Sequence, residues 1–243
     1  MHDIYRDRKR IEMEENILDE NDRIAEHIKD HMGAHGVLVV NEMGSPGAGK
    51  TTSIKNIVKN MKKAKPLVIE GDIESDIDTI ALKGLGIEAC QINTYGACHL
   101  DAPMIDHQLD HMHFDFDEER AILFIENIGN LVCPAEFSIG EHVKMLISTV
   151  TEGSDKPYKY PLAFEKADLI LLTKVDLLPY LDFDEEFFMK GVRALNPNVK
   201  VIKCSGKTGE GYAEAAAWLE EKAFALELHE HHHNHEHAHE HEH

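Results

Sequence analysis

An eight-residue stretch from Gly44 to Thr51 constrains this chain more than any other feature, because it fits the pattern G-x-x-x-x-G-K-[ST]. An apolar run at 36–43 precedes it and predicts a buried strand, and a segment with helical periodicity follows it. Strand, glycine-rich turn and helix in this order direct backbone N–H groups and the positive end of a helix dipole at a phosphate. The stretch therefore predicts a nucleoside triphosphate site formed by Gly44, Ser45, Pro46, Gly47, Ala48, Gly49, Lys50, Thr51 and Thr52.

Charged and hydroxyl side chains in and after this loop have predicted chemical roles. We expect Lys50 to reach the β- and γ-phosphates and the Thr51 hydroxyl to bind Mg²⁺. Carboxylates for the same ion, or for its water ligands, are expected where later apolar segments end. Glu126 closes one such segment, and Asp72 and Asp78 follow another, where the first switch loop of a GTPase normally contributes.

These assignments give two overlapping sets of residues. The catalytic set is Lys50, Asp72, Asp78 and Glu126, and the Mg²⁺ set is Thr51, Asp72, Asp78 and Glu126. A solvated first helical turn is the alternative account of Asp78, since acidic residues favour that position. The sequence has no obvious glutamine or arginine finger, so we expect slow hydrolysis.

Two downstream segments indicate guanine as the base. The first, from Thr173 to Asp176, follows a strand pattern and resembles the [NT]KxD element of GTPases. A carboxylate at Asp176 would accept hydrogen bonds from guanine N1 and N2, which adenine cannot supply, while Lys174 would pack along the nucleotide. The second segment is similar to the second guanine loop and comprises Ser205, Gly206 and Lys207, and Gly129 completes the nucleotide-binding set. GTP is therefore favoured over ATP.

Apolar runs typical of buried parallel strands alternate with helical patterns along the chain. This alternation predicts an α/β fold with a doubly wound, mostly parallel sheet flanked by helices. We divide the chain into an N-terminal helix packed on the domain at 1–35, a P-loop GTPase domain at 36–228 and a disordered histidine-rich tail at 229–243. Strands are predicted at 37–40, 66–72, 87–92, 121–126, 144–150, 169–173 and 200–204, and helices at 3–32, 52–63, 75–83, 103–113, 185–196 and 212–228.

Charge and cysteine content exclude several classes of protein. The chain has 45 acidic against 25 basic residues and a formal charge of −20, which argues against nucleic acid as the main partner. Neither a bilayer-spanning apolar segment nor a signal-peptide core is evident, so we expect a cytoplasmic protein without membrane association. Four scattered cysteines are too few for a disulfide framework in 243 residues, and we expect thiols.

Cys98, His99 and Cys133 form a candidate site for a second metal. Thiolate and imidazole together suit Zn²⁺ or Ni²⁺. Three ligands do not complete a typical site, but a dimer with two-fold symmetry could supply two sets at its interface. Spacing alone leaves open that the cysteines are buried apolar residues. Cys133 nevertheless follows Glu126 closely, which would connect this metal to the nucleotide state.

Several motifs together resemble the hydrogenase nickel-incorporation GTPases, the HypB family of SIMIBI-class P-loop proteins. They are GSPGAGKT at 44–51, CHLDAP at 98–103, ENIGNLVCP at 126–134, TEG at 151–153, KADLILLTKVDLLPY at 166–180 and CSGKTGEGY at 204–212. The resemblance implies a cytosolic GTPase that dimerises when GTP is bound and that loads or releases nickel through Cys98, His99 and Cys133. It also implies a small zinc-containing nickel chaperone as partner and, indirectly, the hydrogenase large-subunit precursor. A GTPase for another nickel or cobalt enzyme, of the urease type, is the alternative.

Histidines elsewhere are candidate weak metal ligands. His107 and His111 are four residues apart in a predicted helix, so His107 is a candidate auxiliary ligand, although an exposed polar face is the favoured explanation of the spacing. The tail interleaves histidines with glutamates, which favours a native segment over an expression tag and suggests a flexible store for Ni²⁺ or Zn²⁺. A histidine-rich nickel storage protein is therefore a further alternative. The tail ligands are His229, His231, His232, His233, His235, His237, His239, His241 and His243.

Overall fold

Seven parallel strands form a single sheet in the computed structural model, which describes residues 2–72, 82–84, 86–94, 96–112 and 120–228, without the side chains of 2–17 and 72. In chain order the strands are β1 (Val37–Gly44), β2 (Lys65–Asp72), β3 (Glu88–Asn93), β4 (Ala121–Glu126), β5 (Val143–Thr149), β6 (Leu169–Thr173) and β7 (Lys200–Lys203). Their spatial order is β3-β2-β4-β1-β5-β6-β7. The predicted doubly wound parallel sheet is confirmed.

Helices cover both faces of this sheet. Those described are α1 (His2–Ala34), α2 (Lys50–Asn60), α3 (Ala102–His111), α4 (Cys133–Glu136), α5 (Lys156–Lys159), α6 (Pro161–Lys166), α7 (Glu185–Leu195) and α8 (Tyr212–Phe224), with 3₁₀ turns at Val150–Glu152 and Val175–Tyr180. One face packs against α2 and α8 through a core that includes Val40, Phe124 and Leu219. On the other face, α1 and α3 cover β1, β2 and β4, while α6 and α7 cover β5 and β6.

The pairing of β1 with β4 determines where in the sheet the candidate site lies. In space, β4 lies between β1 and β2, so the connection from β1 to β2 passes over one strand. The strand that follows β4 in the chain, β5, lies on the other side of β1, and the direction of winding reverses there. Ligands of open parallel sheets bind outside the carboxyl ends of the strands at such a position. Gly44, Asp72 and Glu126 are the last residues of β1, β2 and β4. The predicted phosphate loop and two of the predicted metal-binding residues, Asp72 and Glu126, therefore share one edge.

The second half of α1 packs on this domain through both apolar and polar contacts. Ala25, Ile28 and Met32 are buried in the core against β1 and α3. The buried Asn21 side chain accepts a hydrogen bond from the backbone N–H of Ala102 at 2.9 Å and donates one to the Ser138 carbonyl at 3.0 Å. These bonds satisfy one orphan N–H at the start of α3 and fix the orientation of α1.

Glu220 of α8 fixes the far end of α2. One carboxylate oxygen, Oε1, accepts hydrogen bonds from the backbone N–H groups of Lys62, Lys63 and Ala64 at 2.8, 2.5 and 3.1 Å. Bonds to a carboxylate are stronger than bonds between neutral groups. The segment directly after α2 is thus held to α8 at three successive residues.

The structure corrects some predicted boundaries. β1 continues to Gly44 instead of ending at 40, α2 spans Lys50–Asn60 instead of 52–63, and α8 ends at Phe224. The sequence patterns do not predict α4, α5 and α6, because helices of four to six residues are too short to show periodicity. Each has a proline at its first or second position, which was the available signal. The predicted helix at 75–83 falls mostly outside the described residues, as do Asp78 and the tail from 229.

No helix in the described part of the chain combines the length and the apolar character that crossing a bilayer requires.

His142 connects α1 to β1, the central strand of the sheet, and gives a prediction for pH-dependent stability. Its Nδ1 accepts the Val39 N–H at 3.0 Å, and its ring packs against Gly33. Burial lowers the pKa of His142 to about 4, with Lys29 acting in the same direction. The unfolded chain binds this proton below about pH 6.5 and the folded chain does not, so stability is complete above 6.5 and falls as the pH drops toward 4. Allowing for partial exposure, we expect a loss of about 2 kcal/mol.

Denaturant unfolding between pH 7 and 4.5 tests this expectation. His142→Asn retains an acceptor for the Val39 N–H and should remove this part of the pH dependence. His27→Asn, on an exposed side of α1, should leave it unchanged. Equal pH slopes for the wild type and His142→Asn would contradict the assignment.

Candidate nucleotide and metal site

The loop after β1 has the geometry of a phosphate-binding turn. Gly47 and Gly49 have φ angles of 73° and 99°, which side chains other than glycine rarely adopt. The N–H of Ala48 donates to the Ser45 carbonyl at 3.1 Å, and the Ser53 hydroxyl donates to the Gly49 carbonyl at 2.9 Å. The 11-residue helix α2 begins directly after this turn, at Lys50. Its positive end faces the position that a phosphate would occupy.

Lys50, Thr51 and Glu126 lie together at the carboxyl ends of β1 and β4. The Thr51 hydroxyl donates to Glu126 Oε1 at 3.0 Å, and the same oxygen lies 3.9 Å from Lys50 Nζ. A hydroxyl and a carboxylate at this distance are the hard oxygen ligands that Mg²⁺ prefers, so the residues present fit that ion. Asp72 ends β2 at the same edge, but its side chain lies outside the described part, as does the whole of Asp78.

Two further acidic residues escape sequence-based reasoning. Glu42 and Glu70 are paired in register with Glu126, on either side of it, so that three carboxylates form a row across β2, β4 and β1. Glu42 is fully buried and Glu70 nearly so. Burial, reinforced by the Glu126 charge, raises the pKa of Glu42 well above its usual range. The sequence signal was a glutamate near the end of each of three apolar strands.

The predicted base-recognition residues line a pocket of about 160 Å³ beside the phosphate loop. Asp176 Oδ1 accepts a hydrogen bond from the Ser205 hydroxyl at 2.6 Å, which joins the two predicted guanine loops. Lys174, with a φ of 60°, extends its Nζ to the Gly47 carbonyl at 2.7 Å. The pocket is lined by Ala48, Gly49, Thr52, Thr173, Lys174, Asp176, Leu177, Gly206, Lys207 and Tyr212.

The phosphate loop and the guanine loops are also connected directly. The Thr173 hydroxyl donates to the Ala48 carbonyl at 2.7 Å. A Cβ at Gly206 would lie 2.7 Å from Thr52 Cγ2, so only glycine permits this approach of the second guanine loop to α2. The structure therefore brings together the predicted phosphate and base residues in one crevice.

Cys98, His99 and Cys133 converge on one point at the same edge of the sheet. The two sulfur atoms are 3.2 Å apart, Cys98 Sγ is 3.3 Å from His99 Nδ1, and the three potential ligand atoms all lie within 4.8 Å of one another. The His99 ring stacks on Phe137, with centroids 4.3 Å apart and 19° between the planes. This arrangement fits a soft divalent ion bound by two thiolates and one imidazole.

Ionisation of these ligands follows from their surroundings. Burial lowers the pKa of His99, which favours the neutral imidazole that binds metals. The hydrogen bond to Cys133 raises the pKa of the Cys98 thiol. A metal ion must displace that proton, so metal affinity should increase with pH.

Asparagines connect the metal loop to the strand that carries Glu126. The buried Asn127 side chain accepts the N–H of Leu100 at 3.1 Å and donates to Asn41 of β1 at 3.1 Å. Asn130 donates to the Cys98 carbonyl at 3.2 Å and accepts the N–H of Val132 at 2.9 Å. Cys98 and Leu100 flank His99, and Val132 precedes Cys133. The side chains of Asn127 and Asn130, in the segment that follows β4, thus hold the backbone on both sides of His99 and next to Cys133.

The same segment contacts the phosphate loop. Gly44 and Asn130 form an antiparallel β-bridge. A Cβ at Gly129 would lie 2.8 Å from Pro46 Cγ and 3.0 Å from its nitrogen, so the two backbones are in direct contact. Gly129, predicted as a nucleotide residue, therefore lies against the first half of the phosphate loop. Nucleotide and metal sites share one wall, formed by residues 126–133.

Other predicted ligands are placed apart from this cluster. His107 lies on the exposed side of α3, where its ring contacts His111 at a centroid distance of 4.6 Å. It is absent from the cluster of Cys98, His99 and Cys133, within the residues that the structure describes. Cys204 is fully buried and Cys90 half-buried, and burial raises the pKa of both thiols to about 12.

The chain is similar to a known protein family and to several of its members. The family model for the CobW/HypB/UreG nucleotide-binding domain matches residues 37–203. Hydrogenase maturation factor HypB of Azotobacter vinelandii is 46% identical over 213 residues, which are 87% of this chain and 69% of that protein. The HypB of Escherichia coli K12 is 44% identical over 219 residues, covering 90% and 74%.

Solved structures give the same result. The HypB structure from Archaeoglobus fulgidus has a TM-score of 0.77 at 36% identity, covering 85% of this chain and all of that one. The HypB of Helicobacter pylori, solved in complex with nickel, has a TM-score of 0.80 at 33% identity, covering 87% and 99%.

Replacing the cluster thiols tests the metal site. Cys98→Ser and Cys133→Ser should each lower Ni²⁺ affinity more than about tenfold, since losing even a supporting partner of a ligand costs that much. Calorimetric titration of a chain ending at Leu228 measures this without the tail histidines. Cys90→Ser, which removes a thiol outside the cluster, should bind as the parent chain does. Unchanged affinity in Cys133→Ser would remove this residue from the site.

Replacing Asp176 tests the base pocket. Asp176→Asn exchanges an acceptor for a donor, which suits the C2 carbonyl of xanthine instead of the amino group of guanine. We expect GDP affinity to fall by about 100-fold or more and xanthosine diphosphate affinity to rise. Fluorescence competition with both nucleotides measures the change, and the exposed Asp182→Asn serves as control. Equal GDP affinity in Asp176→Asn would place the base elsewhere.

Proposed function

The chain belongs to the HypB family of hydrogenase maturation factors, and from this premise we propose that it is a GTP-hydrolysing nickel metallochaperone. In this proposal, its nucleotide state and its dimerisation are coupled to Ni²⁺ delivery during [NiFe]-hydrogenase maturation. The observation that carries the proposal is the shared wall. Glu126 at one end of residues 126–133 contacts the phosphate-site residues, and Cys133 at the other end belongs to the metal cluster.

The nucleotide half of the proposal assigns hydrolysis to the crevice at the end of β1. Lys50 and the N–H groups at the start of α2 bind the phosphates, and Thr51 and Glu126 hold Mg²⁺ or its water ligands. The ion supplies positive charge to the phosphate oxygens. Asp72 and Asp78 remain predicted members of this set. Asp176 selects GTP, and slow intrinsic turnover suits a switch better than a metabolic enzyme.

The metal half assigns nickel to Cys98, His99 and Cys133. Two thiols and an imidazole suit Ni²⁺, and Zn²⁺ would compete for the same donors. The related protein from Helicobacter pylori was solved with nickel, which supports the choice. Cys98 is exposed and three ligands leave a coordination position open, so a second copy of the chain could complete the site across a two-fold axis. We therefore propose a homodimer promoted by GTP.

Partners and location follow from the family and remain proposals. Delivery in hydrogenase maturation requires a source of nickel and a recipient. We propose that a small zinc-containing nickel chaperone is the partner at the first step. The hydrogenase large-subunit precursor would receive the nickel indirectly. These events would take place in the cytoplasm.

Coupling would operate through the backbone contacts between the two loops. Binding of a γ-phosphate and Mg²⁺ changes the environment of Glu126 and of the glycine that contacts Pro46. Any displacement of residues 127–130 is passed to Leu100 and to the Cys98 carbonyl by the two asparagine side chains. The nucleotide state thereby alters the separation of the metal ligands. Nickel would then bind the GDP-bound and GTP-bound states with different affinities, which is what a switch requires.

Titration of Ni²⁺ into the chain ending at Leu228 tests the proposal, with GDP in one experiment and a non-hydrolysable GTP analogue in the other. We expect at least a fivefold difference in nickel affinity, the lower bound of typical coupling between sites. Equal affinities would leave no coupling. Oligomeric state measured in parallel tests the dimer.

Asn130→Ala should reduce this difference without removing a metal ligand. The variant loses the bonds to the Cys98 carbonyl and to the Val132 N–H, so we expect the two nickel affinities to converge while GDP affinity stays within about threefold. Asn60→Ala also loses a side-chain bond to backbone, at the far end of α2, and should keep the difference. A full difference in Asn130→Ala would exclude this route.

The histidine-rich segment favours a second candidate function, nickel storage. Hydrogenase maturation in cells that carry the chain ending at 228 separates the two. If the switch is the function, maturation should survive at ample nickel, and if storage is, it should fail.

A further inference from the structure

Lys156 is a lysine held in an unusual place for its type. Its side chain is only 13% exposed, and Nζ lies 3.1 Å from Glu152 Oε1 and 4.8 Å from the centre of the Tyr160 ring. Lys159, one turn further along α5, forms the equivalent pair with Asp155 at 2.5 Å but is 61% exposed. The same short helix thus carries one buried and one solvated ammonium group.

The buried ammonium contacts the phosphate loop. Lys156 Nζ lies 3.4 Å from the hydroxyl of Ser45, the residue that follows Gly44 in the loop. It reaches this position from the chain after β5, because β5 pairs with β1 up to Gly44 and Ile147. Glu126 approaches the loop from β4, on the other side of β1. Lys156 therefore supplies positive charge on the side of the loop opposite Glu126.

The direction of the bound nucleotide follows from the pocket. Ala48 and Gly49 line the base pocket with Asp176, so the base lies beside the second half of the loop. The terminal phosphate must then lie toward the first half, where Ser45 and Pro46 are located. Gly129 contacts Pro46 from the β4 side, and Lys156 contacts Ser45 from the β5 side.

Keeping an ammonium group here has an energetic cost. A charge withdrawn from water is stabilised only partly by one carboxylate, and an apolar side chain of similar size would often be as stable. Buried charges in a crevice are typical of functional sites. The chain as a whole is strongly acidic, yet Lys156 and Lys174 both reach this loop, which itself contains Lys50. A triphosphate is the ligand that such a cluster would stabilise.

We propose that Lys156 is a further catalytic residue, which binds the γ-phosphoryl group and stabilises the charge that develops on it during GTP hydrolysis. This inference rests on the proposed GTPase function. In the reaction, a water oxygen forms a bond to the γ-phosphorus, and the bond from that phosphorus to the bridging oxygen breaks. The electron pair remains on the β-phosphate of GDP. Both water protons leave with the phosphate product as H2PO4−, one on the attacking oxygen and the other transferred to a γ-phosphoryl oxygen. Lys156 keeps its protons throughout and takes the role that an arginine finger has in other GTPases.

The central variant is Lys156→Met, which keeps most of the side-chain length and removes the charge. Single-turnover GTP hydrolysis should slow by about 100-fold, the effect of losing one preorganised donor to a developing charge. GDP affinity should stay within about threefold, because GDP lacks the γ-phosphate. Affinity for GDP with aluminium fluoride, which mimics the transferring group, should fall by about 100-fold as well. Lys156→Arg should restore most of the rate.

Two further variants separate catalysis from folding. Lys159→Met removes the exposed neighbour and should hydrolyse GTP as the wild type does. Glu152→Gln keeps the lysine but weakens its anchor, and we expect about a tenfold lower rate with unchanged GDP affinity. It gives a result even if Lys156→Met does not fold.

The outcomes distinguish this inference from the function on which it rests. A wild-type chain that binds GTP without hydrolysing it would overturn both. Wild-type hydrolysis with an equal rate in Lys156→Met would overturn the inference alone. So would a parallel loss of GDP affinity, melting temperature and rate that Lys156→Arg does not rescue, since it would indicate a structural lysine.

Discussion

The parallel pairing of β1 with β4 is the interaction on which the remaining architecture depends. It aligns Glu42 with Glu126, and beyond the sheet it continues as the bridge between Gly44 and Asn130. Parallel strands end at a common edge, so the loop after each strand enters the same crevice. The phosphate loop follows β1 and the segment that carries Cys133 follows β4. The two segments are therefore neighbours because β1 and β4 are paired. A register shift of one residue would bury the wrong side chains and separate the two loops.

Local electrostatics in the crevice differ from those of the surface. The chain carries a formal charge of −20, yet its phosphate loop contains Lys50 and is contacted by the side chains of Lys156 and Lys174. Glu42, Glu70 and Glu126 form a row of carboxyl groups across β1, β2 and β4, of which Glu42 and Glu70 are buried and Glu126 is partly exposed. The lysines surround the position proposed for the negatively charged triphosphate, and the carboxyl groups lie near the position proposed for Mg²⁺. This distribution of charge complements a metal–triphosphate complex.

Sequence reasoning recovers what is periodic or local and misses what depends on register. The apolar runs located all seven strands, and the loop from Gly44 to Thr51 was evident because its glycines and Lys50 are adjacent in the chain. Cys98, His99 and Cys133 were grouped because of their ligand chemistry and because Cys133 follows Glu126 closely, whereas spacing alone left open that the cysteines are buried apolar residues. Glu42, Glu70, Asn127 and Asn130 could not be assigned, because their roles arise from strands that pair only in the fold. Lys156 was missed for the same reason, since its partner Ser45 is 111 residues away.

The bonds of Glu220 to the chain after α2 have a mechanical consequence. A carboxylate that accepts three successive N–H groups directly after α2 resists displacement of that end of the helix. When a phosphate binds at the opposite end, we expect α2 to keep its position against α8. The adjustment should then fall on the turns beside the start of α2, where Pro46 contacts Gly129. Glu220, at the other end of α2 from the phosphate loop, would thereby confine the response to a ligand to that side of the domain.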